Sequence, residues 1–398
     1  MQEAFIIDYI RTPIGRYGGA LAQLRPDDML ASTIKAVVQR NPWLDPTQID
    51  DIIAGAANQS GEDNRNVARM AGLLAGLPIT VPGTTVNRLC ASGLQAIADA
   101  TRAIKAGDGH LFLAGGVESM SRAPFVMPKA EKAFDRPPVV YDTTLGWRFT
   151  NPALAAVYEP ISMGETAENV AEQFSISRTD QDAYALQSQA RYAAALAVGL
   201  PQAEILPQTV RSGKEAVLVS ADEHPRETSV EKLAALKPAF RAGGSVTPGN
   251  AAGLNDGAAI TIIASGDLVQ RHGLKPLAKV VACVAAGVHP SIMGMGPVPA
   301  ITKLLALTGL SMADIGLVEI NEAFAAQVLA CHRELAIPME KLNVNGGAIA
   351  LGHPLGMSGT RLTGSLALQM RRRNVRYGIS SMCIGVGQGM AALLQLVD

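Results

Sequence analysis

Short continuous apolar runs punctuate this chain. Ala4-Phe5-Ile6-Ile7-Asp8, Ile52-Ile53-Ala54, Leu111-Phe112-Leu113-Ala114 and Leu317-Val318-Glu319-Ile320 are too short for helices and predict buried strands. Between them the apolar spacing changes to that of a helix. Met29 to Val38 follow that spacing behind Asp27 and Asp28, which are placed to cap the start. Ser177 and Asp180 signal a second helix before Ala183, Leu186, Ala190 and Ala194. The basic run Arg371-Arg372-Arg373 suits the negative C-terminus of a third. This alternation predicts α/β layers around a mostly parallel sheet.

The pattern repeats once, faintly. Ile49 to Gly55 echoes Ile315 to Asn321, Val86-Asn87 echoes Val344-Asn345, and Leu113 to Val117 echoes Ser381 to Gly385. The echoes keep their order, at an offset of roughly 260 residues, which favours a duplication into two α/β halves facing a shared site. Residues 120–248 differ. Pro124, Pro128, Pro137, Pro138, Pro152 and Pro160 break the pattern, so this stretch reads as an insertion over the site.

Composition narrows the class. Aromatics are only 4% while glycine numbers 39, so a core of Ala, Val, Leu and Ile with close backbone approaches is expected. A net charge of -1 with no basic stripe excludes nucleic acid as an expected partner. Four cysteines at these spacings match neither a disulfide framework nor a zinc site, so no metal is expected. The first strand begins at once, no run is long enough to span a membrane, and Leu396-Val397-Asp398 is not a peroxisomal address. A cytoplasmic protein without membrane attachment is the expectation.

Three glycine-marked segments carry candidate chemistry: Val86 to Gly93 around Cys90, Gly352 to Gly359 around His353, and Cys383 to Gly389. Two thiols and an imidazole on tight turns suit covalent catalysis with a nucleophile, a base and a second proton carrier. Cys90 precedes a good helix, whose positive end favours the thiolate. The glycines after Cys383 let a ligand approach the main chain. Asn321 follows a strand and either caps the next helix or orients a water toward an oxyanion. Cys283, Cys331 and the other five histidines (His110, His224, His272, His289, His332) have no such setting and read as packing, structural or surface residues.

Together these segments resemble the thiolase family, along with Gly115 to Met120, Met163 to Asn169, Gly249-Asn250, Asn255 to Ala259 and Asn321 to Ala325. The resemblance implies duplicated βαβαβαββ halves in a five-layer αβαβα core with an inserted coenzyme A-binding loop domain. It divides the chain into an N-terminal half (1–119, returning at 249–274), the loop domain (120–248) and a C-terminal half (275–398). It implies an acyltransferase that forms an acyl-enzyme on Cys90, with His353 activating Cys90 and Cys383 as acid/base at the α-carbon. Asn321, through a water, and His353 stabilise the enolate. The N–H groups of Cys90 and Gly385 hold the acyl-step oxyanion. Met163, Ala323 and Phe324 line the pantetheine tunnel, and Arg226 meets the CoA nucleotide. No cofactor is permanently bound; coenzyme A is a co-substrate, acyl-CoA thioesters are the ligands, and a homotetramer is expected.

Gly61 to Arg69 and Tyr141 to Phe149 resemble members acting on 3-oxoadipyl-CoA in aromatic-compound catabolism, with acetoacetyl-CoA or fatty 3-ketoacyl-CoA as alternatives. A substrate ending in a carboxylate needs a cation, and Arg148 or Arg65 is the candidate. Ser162 stands where acetoacetyl-specific members often have histidine. Ala252 stands where a serine commonly meets pantetheine. A non-catalytic lipid-binding relative would be expected to lack one reactive group. A ketoacyl synthase would be expected to replace Cys383.

Overall fold

The computed structural model describes residues 2–213 and 215–397. In the N-terminal half, β1 (Ala4–Arg11), β2 (Asp51–Gly55), β3 (Gly83–Val86), β4 (Leu111–Ser119) and β5 (Asn255–Ser265) lie in the order β3-β2-β4-β5-β1. In the C-terminal half, β6 (Ala278–Gly287), β7 (Leu317–Ile320), β8 (Tyr377–Ile384) and β9 (Gln388–Gln395) lie in the order β7-β8-β9-β6. Leu342 bridges Val318 in parallel, where a third strand would stand. The two halves therefore share one topology. The sequence echoes fall on its second and fourth strands and beside its third.

The sheet is mixed rather than mostly parallel. Only β2–β3, β2–β4 and β7–β8 run parallel. The fifth strand of each half lies antiparallel between the fourth and the first. Between β8 and β9 the connection is only three residues, too short for the crossover a parallel pair needs. β1 and β6 pair at Phe5↔Lys279 and Ile6↔Ala278, joining the halves into one sheet that also takes in the short strand Gly15–Arg16.

Helices α1 (Pro26–Gln39), α2 (Ser92–Ala106), α3 (Met163–Gln173), α4 (Arg178–Ala197), α5 (Pro297–Thr308), α6 (Ala325–Glu334) and α7 (Leu355–Arg373) build the other layers. Side-chain alternation assigns the faces. Ile52 and Leu113 pack into an outer core with Ile34 and Val37 of α1. Their neighbours Ile53, Phe112 and Ala114 pack inward with Ile97 and Ile104 of α2 and Leu366 and Met370 of α7. In the other half, Leu393 faces Ile301 of α5 and Val328 of α6, while Leu394 faces the inner layer. Strands β4 and β5 are buried along their whole length, as a sheet covered on both faces requires. Each such Leu or Ile contributes about 1.5–3 kcal/mol by burial.

Helix α1 starts at Pro26, with Arg25 as the flanking residue and no side-chain cap. Asp27 and Asp28 therefore lie inside the first turn, against the positive helix end. Asp27 also holds Arg25 at 2.8 Å. Ser177 does cap α4, accepting from the Asp180 N–H at 3.0 Å. Within residues 120–248, α3 and α4 pack on α6. Among the described residues no helix is long and apolar enough to cross a membrane.

The inner helices α2 and α7 occupy equivalent places in the two halves and pack against each other at their N-termini. Glycine makes the approach possible. A Cβ on Gly356 would lie 2.3 Å from the Val117 carbonyl oxygen, and one on Gly93 2.5 Å from the Gly356 carbonyl oxygen. Cys90 lies just before α2 and His353 just before α7, so this contact brings their turns to the centre of the molecule.

Candidate active site

Cys90 lies in the tight turn Leu89–Ala91 ahead of α2, on a half-buried position. The preceding Leu89 adopts a left-handed φ of 47°. The backbone N–H groups of Gly385 and of Cys90 itself face the sulfur and favour the thiolate. Burial outweighs them and pushes the thiol up from its ordinary value. The net direction is toward the thiol, opposite to the pull of the helix end alone.

Cys383, the penultimate residue of β8, is buried, and its thiol is also pushed up, first by burial and then by the nearby Cys90. The two sulfurs are close enough that ionising one opposes ionising the other. Met163, Ala323 and Phe324 pack in one cluster with Cys383, Ala251 and Met293. A Cβ on Gly385 would lie 3.4 Å from the Met163 sulfur. Ser162 caps α3 by accepting from the Glu165 N–H at 3.2 Å, which gives this position a structural use.

His353 is buried, and desolvation followed by the Arg361 charge pushes it down to about 3, so the imidazole is neutral. Its Nδ1 lies 2.6 Å from the Ser358 hydroxyl, its backbone N–H donates to Asn255 Oδ1 at 2.9 Å, and Nε2 has no protein partner. The Ser358 hydroxyl itself donates to the Pro354 carbonyl at 2.7 Å. Nδ1 therefore carries the proton toward the Ser358 oxygen and leaves Nε2 as the available base. Asn321 is fully buried at the end of β7, and neither atom of its amide has a partner. It does not cap α6, which Phe324 precedes without a side-chain cap.

The outlying candidates separate. Arg148 is half-buried and close enough to the buried Glu118 to favour its carboxylate. Arg65 is exposed, with a left-handed φ of 65°. Neither arginine makes a side-chain ion pair with another described residue. Arg226 donates to the Pro248 carbonyl at 2.7 Å, and burial lowers it. Cys331 donates to the Gly294 carbonyl, and Cys283 packs against the core cluster of Leu94, Leu362 and Met390. Among the described residues no cluster of His, Cys, Asp or Glu could hold a metal ion. A surface cleft of about 620 Å³ between Tyr17, Arg25, Glu62 and Arg122 includes none of the reactive groups.

Sequence reasoning gave no role to Ser358, Asn255 or Glu118, although all three lie in quoted segments. It also grouped His224 with surface and structural residues. That imidazole is buried beside Gly253, has no partner on either nitrogen, and is pushed down to about 4 by desolvation and then Arg226.

Known proteins share this arrangement over the whole chain. The sequence model "Thiolase, N-terminal domain" matches residues 4–267, and "Thiolase, C-terminal domain" matches residues 274–396. The Escherichia coli K12 3-oxoadipyl-CoA/3-oxo-5,6-dehydrosuberyl-CoA thiolase is 57% identical over 100% of both chains. The Acinetobacter baylyi beta-ketoadipyl-CoA thiolase is 55% identical, also over 100% of both. The crystal structure of Bacillus anthracis acetyl-CoA acetyltransferase superposes with a TM-score of 0.94 at 42% identity, covering 100% of this chain and 99% of that one. With both halves matched in order and the two thiols and the imidazole turn gathered between them, this chain belongs to the thiolase family.

Proposed function

We propose that this thiolase, an acyltransferase, cleaves 3-oxoadipyl-CoA with coenzyme A into succinyl-CoA and acetyl-CoA. The observation that carries the reading is the meeting of Cys90 with Cys383 beneath the Gly385 N–H, together with full-length relatives named for this substrate.

Neutral His353 takes the Cys90 proton, and the thiolate attacks C3 of the 3-oxoacyl thioester. The C2–C3 bond breaks and its electron pair leaves as the enolate of acetyl-CoA. His353, now protonated, and a water held by Asn321 stabilise that enolate; one such donor supplies roughly 2.7–4 kcal/mol. Cys383 protonates C2. A second CoA thiol gives its proton to Cys383 and attacks the acyl group on Cys90, whose oxyanion meets the N–H groups of Cys90 and Gly385; the acyl–Sγ bond then breaks and the Cys90 thiolate takes its proton back from His353. Met163, Ala323 and Phe324 line the pantetheine path, and Arg226 meets the nucleotide. Ala252 offers no hydroxyl there, and its N–H donates to the Ala323 carbonyl at 2.9 Å.

Arg148 is the partner for the substrate's terminal carboxylate, ahead of Arg65, because it is half-buried, unpaired and close to Glu118 beside the site. A homotetramer is supported by the exposed apolar side chains Phe125, Met127, Phe134, Val139 and Val140 on the insertion.

Steady-state thiolysis across 3-oxoadipyl-CoA, acetoacetyl-CoA and a long-chain 3-oxoacyl-CoA tests the substrate. The dicarboxylic thioester is expected to give the highest kcat/KM. Arg148→Ala is expected to lower kcat/KM for it by about tenfold or more, and to change acetoacetyl-CoA less. Equal losses on both substrates would remove Arg148 from this role.

A further inference from the structure

Glu118, near the end of β4, is a buried carboxylate with no side-chain ion-pair partner among the described residues. Its Oε2 accepts from the N–H groups of Ala57 and Gly356, each at 2.9 Å, and its Oε1 accepts from the Asn58 N–H at 3.0 Å. Ala57 and Asn58 follow β2. Gly356 lies in the first turn of α7, three residues beyond His353. The Ala57 carbonyl in turn accepts from Asn87 Nδ2 at 2.9 Å, and Asn87 Oδ1 accepts from the Leu89 N–H at 2.8 Å. Leu89 directly precedes Cys90. One side chain thus sits between the turn that carries the imidazole and the turn that carries the nucleophile.

We propose that Glu118 is a positioning residue for thiolysis: its carboxylate holds the Cys90 and His353 turns in one frame and places a negative charge beside the nucleophile. The proposal rests on the reading of Cys90 as the nucleophile. Three N–H donors converging on two oxygens need an acceptor-only group, which an ionised carboxylate is and an amide is not. The charge is held against resistance. Burial first, opposed by the three N–H groups and by Arg148 from the 141–150 loop, leaves Glu118 pushed up to about 7. Asp63, from the loop after β2, feels Glu118 as a like charge and is itself pushed up to about 7, chiefly by burial. The Cys90 thiol is the third titratable neighbour, and Glu118 raises it further.

Glu118→Gln and Glu118→Asp in the full-length enzyme test this. The readouts are kcat and KM, the thermal midpoint, and the pH dependence of Cys90 alkylation by iodoacetamide, followed by the mass of the Cys90 peptide. For Glu118→Gln we expect kcat to fall on the order of 10²-fold with KM for coenzyme A little changed. Half-maximal alkylation should move to lower pH, because a negative charge beside the thiol has gone. Glu118→Asp keeps the charge but has a shorter reach. It should lose kcat while keeping the wild-type alkylation midpoint.

A Glu118→Gln enzyme with kcat within about twofold of wild type, or with lowered kcat and an unmoved alkylation midpoint, overturns the proposal. If that variant does not fold, Glu118→Asp decides by the same kcat criterion. Failure of the underlying reading looks different: wild-type enzyme would then retain thiolysis after Cys90 is alkylated.

Discussion

The turns that carry Cys90 and His353 occupy the same place in the two halves, each leading into an inner helix, yet they are built differently. The Cys90 turn is half-buried and shaped by backbone, with a left-handed Leu89 and N–H groups facing the sulfur. The His353 turn is fully packed, with Ser358 on one ring nitrogen and Asn255 on the backbone N–H. The sulfur is left without a side-chain partner, whereas the imidazole and its backbone N–H are held by two side chains that leave one ring nitrogen open. The two halves share the position, and the residues around it differ.

The largest effect that would break this comparison comes from the nucleophile. Cys90→Ser should lower kcat for thiolysis by roughly 10⁴-fold or more and abolish acyl-enzyme on that residue, read by intact-protein mass after brief exposure to substrate. A variant that still acylates elsewhere would move the nucleophile off this turn.

Cys383→Ala sharpens the contrast between the two thiols. Transfer of an acyl group from a preformed Cys90 thioester to coenzyme A should persist in weakened form. Exchange of the α-protons of acetyl-CoA with deuterium should fall by about 10²–10⁴-fold, the usual reach of a positioned acid/base. Loss of both activities to the same extent would mean that Cys383 supports the site without handling the α-proton.

The smallest effect concerns stability. Burial and Arg361 push His353 from its usual 6.5 to about 3 in the folded state. The unfolded chain therefore binds more protons between these values. The contribution is fully present above about pH 6.5 and is lost as pH falls toward 3, by about 1.4 kcal/mol per pH unit. His353→Gln should lack that slope, so the difference in urea-unfolding free energy between wild type and variant should itself change with pH across roughly pH 4–6. Parallel curves would show that the imidazole is more solvated than its packing implies.

Much of this was legible in the order of residues. The apolar runs at Ile52 and Leu317 were strands because continuous β-branched and aliphatic residues must be covered on both faces. The repeated order of three motifs exposed the duplication. The three glycine-marked segments singled out Cys90, His353 and Cys383 as candidates, and the structure brings those segments together. The mixed sheet was not legible, since strand direction depends on where each fifth strand inserts. Arg65 and Arg148 looked alike in the chain, yet one is exposed and the other lies near Glu118.

The sequence by itself determined which side chains could react, which segments would be strands, and that two similar halves would be built. Those properties follow from local chemistry and from periodicity, which neighbours in the chain carry. Only the tertiary structure decided that burial pushes the Cys90 thiol up, that the imidazole is neutral, and that Glu118 ties the first turn of α7 to the residues after β2. Each depends on burial and on partners far away in the chain, and local sequence does not encode the distance between two turns that meet only when α2 packs on α7.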